Sequence, residues 1–354
     1  MSIENPVYLA ASTMVTPVGG NTIMTAAAIN VGASQIAETA ILNKRLKPIK
    51  MALVPETVLP PLNPEILAHP LPARQLRLLQ LAAVGLSQLA GQMPVGQSLP
   101  LFLSLPEQLP SLSKPLIGNF IKQLIIQTDF PLDSSQSRVA HVGRSGGIYA
   151  IDAAHRYLAE EGHDYVLVGG VDTYCDPDLL ARLDAEDRLM GQGALDGFFP
   201  GEGAAFLLLA SERVKSQLPS PLIALAKPGL ADEPGHRYSD EPYRGEGLAA
   251  AVTQACSHAP GMVDNIWTSM IYDGFASKEL GVAFTRNSKS ISPAVKMYHP
   301  VDCVGDMGAA ISCALIGLTG AAAQRTRKSS HHLVCCSSEL SHRGAIRIDV
   351  IAEG

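Results

Sequence analysis

The stretch SRVAHVGRSGGIYAIDAAHRYLAEEGHDYVLVGGVDTY, residues 137–174, contains the pattern that decides the fold. Its turn, Gly143–Gly147, fits the G-x-S-x-G pattern in which a nucleophilic serine, here Ser145, stands on a tight turn before a helix. The run after the turn predicts a helix, and YVLVGG predicts a buried strand. Strands alternating with helices along the chain indicate an α/β protein with mostly parallel sheets.

A similar unit occurs near the C-terminus. There GDMGAAISCALIGLTGA, residues 305–321, is followed by HLVCCS, residues 332–337. Each unit combines a glycine turn, a small-residue helix and a buried strand, which suggests an internal duplication. The polar, proline-containing segment 211–221 predicts the joint. We therefore expect an N-terminal half over residues 1–215 and a C-terminal half over 216–354.

Composition excludes several classes of protein. A net charge of −6 argues against a nucleic-acid binder. The longest apolar run is slightly short for a membrane span and predicts a buried helix instead. We find no signal peptide, and the six scattered cysteines are typical of free thiols in a reducing cytoplasm. No cysteine pair has metal-ligand spacing, so we expect no metal and no cofactor.

Several segments together resemble the thiolase superfamily, in particular the beta-ketoacyl-ACP synthases. They are the opening strand and turn VYLAASTMVTPVGGN, the strand FFPGEGAAFLLLAS (residues 198–211) and the segment HPVDCVGDMGAAISCALIGL (299–318). They occur in the order of that family and span nearly the whole chain. The resemblance implies an α/β fold, a five-layered αβαβα sandwich of two duplicated halves, that forms a homodimer.

The same resemblance implies a catalytic cysteine, two histidines and a glycine-rich turn, and each is absent at its expected place. The nucleophile position falls at Ser145 when counted from Gly162, and at Arg144 when counted from Gly169. The segment of the first histidine contains Tyr272 and Asp273, and Asp306 stands at the second. SSELSHRGA, residues 337–345, replaces the glycine turn. Together with His299, these residues form the predicted vacated site: Arg144, Ser145, Tyr272, Asp273, His299 and Asp306.

Two interpretations of Ser145 follow. As a nucleophile it would need a base within hydrogen-bonding reach, and a carboxylate such as Asp306 is a poor base for an alcohol. As a structural residue it would cap the helix that begins near Gly146. Arg144 and Asp306, one at each glycine turn, are expected to pair, either structurally or around an anionic ligand.

The sequence thus predicts a degenerate ketosynthase-like protein that is non-catalytic and acts as a binding, adaptor or chaperone-like protein. Similar short proteins occur in type VI secretion gene clusters, which implies effector loading and a secreted effector or spike-tip protein as partner. Two alternatives stay open. One is a divergent acyltransferase or condensing enzyme that uses Ser145 on acyl-ACP or acyl-CoA. The other is an inactive partner subunit of a full ketosynthase.

Overall fold

The computed structural model describes residues 3–109, 115–191, 194–269 and 272–352. Its strands, in chain order, are β1 (Val7–Val15), β2 (Ile36–Leu42), β3 (Pro48–Ala52), β4 (Leu101–Ser104), β5 (Arg138–Ala140), β6 (Tyr165–Thr173), β7 (Glu202–Ala210), β8 (Leu222–Leu225), β9 (Gly229–Asp232), β10 (Val263–Thr268), β11 (Ile291–Tyr298), β12 (Ser330–Ser337) and β13 (His342–Ile351).

The helices are α1 (Thr22–Asn30), α2 (Pro64–Leu67), α3 (Ala73–Ser87), α4 (Phe120–Thr128), α5 (Gly146–His155), α6 (Pro177–Ala185), α7 (Glu246–Ser257), α8 (Gly274–Arg286), α9 (Val301–Val304) and α10 (Ile311–Thr326). Short 3₁₀ turns precede the two central helices, at Gly143–Ser145 before α5 and at Gly308–Ala310 before α10. None of the helices in the described part of the chain has the length and apolar character needed to cross a bilayer.

The strands of the two halves follow one plan. In the first half the order is β5-β4-β6-β7-β1, and in the second it is β11-β10-β12-β13-β8. The three strands at the outer end of each set are parallel, and the remaining neighbours are antiparallel. The sets join where β1 pairs with β8 over two residue pairs. The division into domains at residue 215 stays a prediction.

Five layers result from the way the helices cover these strands. Helices α3 and α4 pack outside the first set, while α7 and α8 pack outside the second. Between them lie α5 and α10, which contact each other and strands of both sets. The predicted α/β sandwich is therefore confirmed. The central layer is dense: a Cβ at Gly147 of α5 would stand 2.6 Å from Sγ of Cys313 in α10.

The prediction of mostly parallel sheets is wrong, since only four of the eleven strand pairings among the described residues are parallel. Two strands and one helix boundary also differ from the sequence prediction. β2 and β9 were not expected, because β2 is largely exposed and lacks a clear apolar alternation, and β9 is only four residues long. The apolar spacing of SKPLIGNFIKQLIIQ, residues 113–127, predicts an amphipathic helix over that whole segment. The helix begins only at Phe120, where the Asn119 side chain accepts a hydrogen bond from the Lys122 amide. Residues 113 and 114 lie outside the described residues.

Candidate functional site

The first glycine turn places Arg144 inside the protein. Gly143 has a positive φ of 73°, and a Cβ there would stand 2.7 Å from a carboxylate oxygen of Glu107. The 3₁₀ turn that follows directs Arg144 toward the C-terminal half, with 5% of its surface exposed. Only glycine adopts this backbone without strain, so the turn sets the position of the arginine.

The second glycine turn places Asp306 opposite it. Gly305 and Gly308 both have positive φ, and Oδ1 of Asp306 accepts a hydrogen bond from the Gly308 amide at 2.9 Å. A Cβ at Gly308 would stand 2.0 Å from Oδ2 of the buried Asp172. The backbone of the second turn therefore fixes the position of Asp306 before α10, in the same way that the first turn fixes Arg144 before α5.

These two residues are in direct contact. Nε and Nη2 of Arg144 donate to Oδ2 of Asp306 at 2.9 and 2.5 Å. The Tyr174 hydroxyl, at the end of β6, donates to the same oxygen at 2.7 Å. Burial and the charge of Asp306 raise the pKa of Tyr174 well above its usual value, so this hydroxyl stays protonated and remains a donor.

Glu339 is a second partner of Arg144 that the sequence did not point to. It lies in the loop between β12 and β13 and accepts a hydrogen bond from Nη1 of Arg144 at 2.8 Å. Arg188 donates to both of its oxygens, at 2.9 and 3.1 Å, and Arg237 lies 3.4 Å away. Although burial opposes ionisation, Arg144 and Arg188 hold the pKa of Glu339 far below its usual range.

Asp273 completes the cluster. Its Oδ1 accepts a bond from the Ala276 amide and caps α8, while Oδ2 contacts Arg237 and lies 3.6 Å from Arg188. Three arginines thus face three carboxylates, and their formal charges cancel. We call this set the arginine–carboxylate cluster: Arg144, Arg188, Arg237, Asp273, Asp306 and Glu339. Arg188 and Arg237 had no sequence signal, since each stands in a loop that matches no motif.

Ser145 does not cap α5, which was one of the two interpretations of this residue. It already has helical dihedral angles, and its side chain makes no capping bond to α5. The Ser312 hydroxyl of α10 accepts the Gly147 amide instead, at 3.0 Å. The Ser145 hydroxyl lies 2.7 Å from that of Ser338, whose own proton is directed to the Val142 carbonyl. The single proton of Ser145 therefore has two acceptors within reach, Oγ of Ser338 and the His342 carbonyl.

No described histidine nitrogen or carboxylate forms a hydrogen bond with Oγ of Ser145, whose other partner is the His342 carbonyl at 3.4 Å. His299 stands just after β11, and its Nδ1 is buried without a partner among the described residues. Tyr272 contacts Asp302 on a half-exposed surface. The structure thus brings Arg144, Asp273 and Asp306 into one cluster and places no contact between His299 or Tyr272 and Ser145.

Little space remains around Arg144 and Glu339, whereas Asp306 also borders a larger cavity. Two cavities of about 30 Å³ each border Arg144 and Glu339, and each has room for about one water molecule. A larger, mostly apolar cavity of about 370 Å³ lies beyond Phe198, between Tyr272 and Asp306. The Phe198 ring lies between this larger cavity and Arg144. The guanidinium carbons of Arg144 and Arg188 lie 5.7 and 5.3 Å from the centre of the ring.

Glu107 connects the first turn to the loop of Glu339. Its two oxygens accept the amides of Glu339 and Leu340, both at 2.9 Å. Burial raises the pKa of Glu107 to about 7, and the nearby charge of Glu339 adds to this, while the two amides act in the opposite direction. Glu107 therefore titrates near neutrality in the folded protein.

Known proteins that are similar to this chain in sequence or in fold are ketosynthases and their relatives. The beta-ketoacyl synthase N-terminal domain matches residues 143–214, from the first turn through β7. No curated protein has a significantly similar sequence. Among solved structures, the ishigamide ketosynthase/chain length factor is 17% identical, with a TM-score of 0.70 over 98% of this chain and 100% of that one.

Two further structures have the same architecture. A ketosynthase in complex with its chain length factor from Xenorhabdus doucetiae is 15% identical, with a TM-score of 0.73 over 98% of each chain. A type II acyl-carrier protein in complex with its ketosynthase gives 14% identity and a TM-score of 0.76 over 98% of this chain and 100% of that one. At these identities the likeness establishes the ketosynthase-like fold alone.

Arg144→Ala is expected to lower the free energy of unfolding by about 3–5 kcal/mol, because it leaves two buried carboxylates without their shared partner. Arg144→Lys keeps the charge but not the forked geometry of the guanidinium. The free energy of unfolding of this variant should therefore lie between those of wild type and Arg144→Ala. Urea unfolding measures both. Arg182→Ala, which removes an exposed pair with Glu186, is the control and should cost less than about 1 kcal/mol. Equal effects of Arg144→Ala and Arg182→Ala would show that the cluster does not hold the site together.

The raised pKa of Glu107 predicts that the free energy of unfolding depends on pH. Since its pKa rises from 4.5 to about 7 on folding, the folded state binds more protons between these values. The free energy of unfolding therefore loses this contribution as pH rises through that window, by at most about 1.4 kcal/mol per pH unit. In Glu107→Gln this contribution is absent, so the stability of the variant relative to wild type should increase across the window.

Urea unfolding at several pH values measures the difference in stability between Glu107→Gln and wild type. Glu65→Gln, which removes one exposed carboxylate, is the matched control. A stability difference between Glu107→Gln and wild type that does not change with pH would contradict the assignment of a neutral titration to Glu107.

Proposed function

We propose that this protein is a non-catalytic relative of the ketosynthases in architecture, which acts by binding another protein. The observation that carries the proposal is the contact of Arg144 with Asp306 and Glu339 between the two glycine turns. In the related enzymes that the sequence resembles, this is where a cysteine and histidines would meet. A guanidinium paired to two carboxylates neither attacks a thioester nor accepts a proton.

The surroundings of Ser145 support the same conclusion. A serine nucleophile requires a base that takes its proton, and here the acceptors within reach of that proton are the Ser338 hydroxyl and the His342 carbonyl, neither of which is a base. The two cavities that touch Arg144 have room for about one water molecule each, whereas an acyl chain would need a continuous apolar channel. A divergent acyltransferase would need both a base for Ser145 and room for an acyl chain beside Arg144.

A role as the inactive partner of a full ketosynthase is the second candidate. Two similar structures are described as a ketosynthase with a chain length factor, so the fold occurs in such pairs. In this chain β5 stands at the end of the strand order, with Arg138 and Val139 exposed. An unpaired edge strand is a surface to which a second chain adds its own strand. Effector loading in type VI secretion stays a prediction from the sequence.

Incubation of the full-length protein with labelled acyl-CoA, and separately with labelled acyl-ACP, tests the absence of catalysis. We expect no covalent label on wild type or on Ser145→Ala, since no base activates that hydroxyl. An active ketosynthase in the same assay is the positive control. Label that appears on the wild type and disappears in Ser145→Ala would refute the non-catalytic proposal and support the acyltransferase.

Light scattering tests the edge strand, with the protein alone and co-expressed with a ketosynthase of the same organism. We expect a dimer, either with itself or with the ketosynthase, and Val139→Lys should dissociate it by placing a charge on the pairing edge. Val31→Lys, at an exposed position after α1, is the matched control and should leave the dimer intact. A monomer in every mixture would remove the support for a partner subunit, and equal effects of the two variants would exclude this edge.

A further inference from the structure

A groove of about 670 Å³ lies between α1, residues 318–325 of α10, and β1. We call it the α1–α10 groove. Its volume is in the range of small-molecule sites in proteins. It shares no residue with the arginine–carboxylate cluster or with the two small cavities beside Arg144. Occupancy of this groove is therefore independent of the proposed function.

Helix α1, which forms one wall, is an apolar helix at the protein surface. Its sequence TIMTAAAIN is uncharged, and residues 5–37 contain no charged side chain at all. Ile23 and Met24 are nevertheless 80% and 54% exposed, and Ala27 is exposed as well. Apolar residues spread around a helix are typical of a buried one, because their contact with water is unfavourable. Ile23 and Ala27 line the groove, so a ligand there would cover part of this surface.

Small side chains keep the groove open. Each helix contributes two alanines to its walls: Ala26 and Ala27 from α1, and Ala321 and Ala322 from α10. The helix α10 cannot move inward to fill the space, because it already packs closely on β1. A Cβ at Gly320 would stand 2.8 Å from a methyl carbon of Leu9.

The interior of the groove offers few hydrogen-bonding groups. Two stacked rings in its wall, Trp267 and Tyr298, lie with their centres 4.2 Å apart. The indole N–H of Trp267 donates to Nδ1 of His332 at 3.1 Å, and the Thr22 hydroxyl donates to the Ser12 carbonyl at 2.9 Å. A ligand with polar groups along its length would leave those groups unsatisfied. An aliphatic chain without polar substituents fits these walls better.

A single charge borders this apolar space. Among the described residues that line the groove, only Arg325 is charged, and none is a carboxylate. Arg325 stands in the last turn of α10, is exposed, and forms no ion pair or hydrogen bond with another described residue. Its guanidinium is therefore available to an anion, and a carboxylate matches its forked geometry.

We propose that the α1–α10 groove binds an aliphatic carboxylic acid, with the carboxylate on Arg325 and the alkyl chain between α1 and α10, beside Trp267. The chain covers the groove-facing surface of Ile23 and Ala27. Each methylene group that leaves water strengthens binding about fourfold. The carboxylate accepts hydrogen bonds from the guanidinium, which supplies the one charge at this site.

Titration of the full-length protein with sodium decanoate, below its micelle concentration, tests the proposal. The emission of Trp267, the only tryptophan in the sequence, reports on the groove. We expect a change in emission that saturates. Octanoate, which is two methylene groups shorter, should bind about 15-fold more weakly. Decanol, which has the same chain without the charge, should bind about fivefold more weakly than decanoate, as expected for one exposed ion pair.

Two pairs of variants locate the ligand. Arg325→Gln should weaken decanoate binding about fivefold and leave decanol unaffected, whereas Lys328→Gln, an exposed charge outside the groove, should change neither. Ala27→Phe places a ring in the groove and should abolish the saturable response. Ala33→Phe, at an exposed position outside the groove, is its matched control and should retain the response. Thermal unfolding verifies that all four variants are folded.

The absence of a saturable response to decanoate would overturn the proposal. Equal losses in Arg325→Gln and Lys328→Gln, or unchanged affinity in Ala27→Phe, would overturn it as well, since decanoate would then bind elsewhere. Sedimentation with phosphatidylglycerol vesicles distinguishes a membrane surface. Binding to the vesicles without a response to monomeric decanoate would assign α1 to a membrane contact and contradict a fatty-acid site.

Discussion

The free-energy cost of burying the Arg144 guanidinium between the turns that precede α5 and α10 determines the rest of this site. Arg144 is almost completely removed from water, and such a charge is tolerated only where carboxylates meet it at hydrogen-bonding distance. Asp306 and Glu339 meet that need, but they then require Tyr174, Arg188 and the Gly308 amide of the second turn to satisfy their remaining acceptor sites. One buried charge thus determines the position of residues from four separate segments.

The arginine–carboxylate cluster fixes the geometry of the site more than it stabilises the protein. Well-packed apolar side chains of similar volume commonly stabilise a protein as much as a buried ion pair does. Charged groups, however, accept only one arrangement of donors and acceptors. Here that arrangement holds the first turn, the second turn and the loop of Glu339 together, with Glu107 binding the same loop from the opposite side. The ketosynthase-like architecture is retained while the space between the turns is filled.

Much of the fold could be predicted because its signals are local. Glycine turns, small-residue helices and apolar strands recur in both halves, and FFPGEGAAFLLLAS matched a family segment. The contact of Arg144 with Asp306 followed from their places on two corresponding turns. Glu339, Arg188 and Arg237 could not be found, since they lie in irregular loops and meet only through long-range packing. The error at Ser145 had a similar origin: Ser312, distant in sequence, supplies the bond that a local cap was expected to make.

The shared central layer has an evolutionary consequence. Helices α5 and α10 each contact strands of both halves, and Arg144 of one half is neutralised only by residues of the other among the carboxylates described. After a gene duplication, two copies usually diverge independently. Here a change of charge at one glycine turn is tolerated only if the other half changes in compensation. We therefore expect positions 144, 306 and 339 to covary among relatives of this chain.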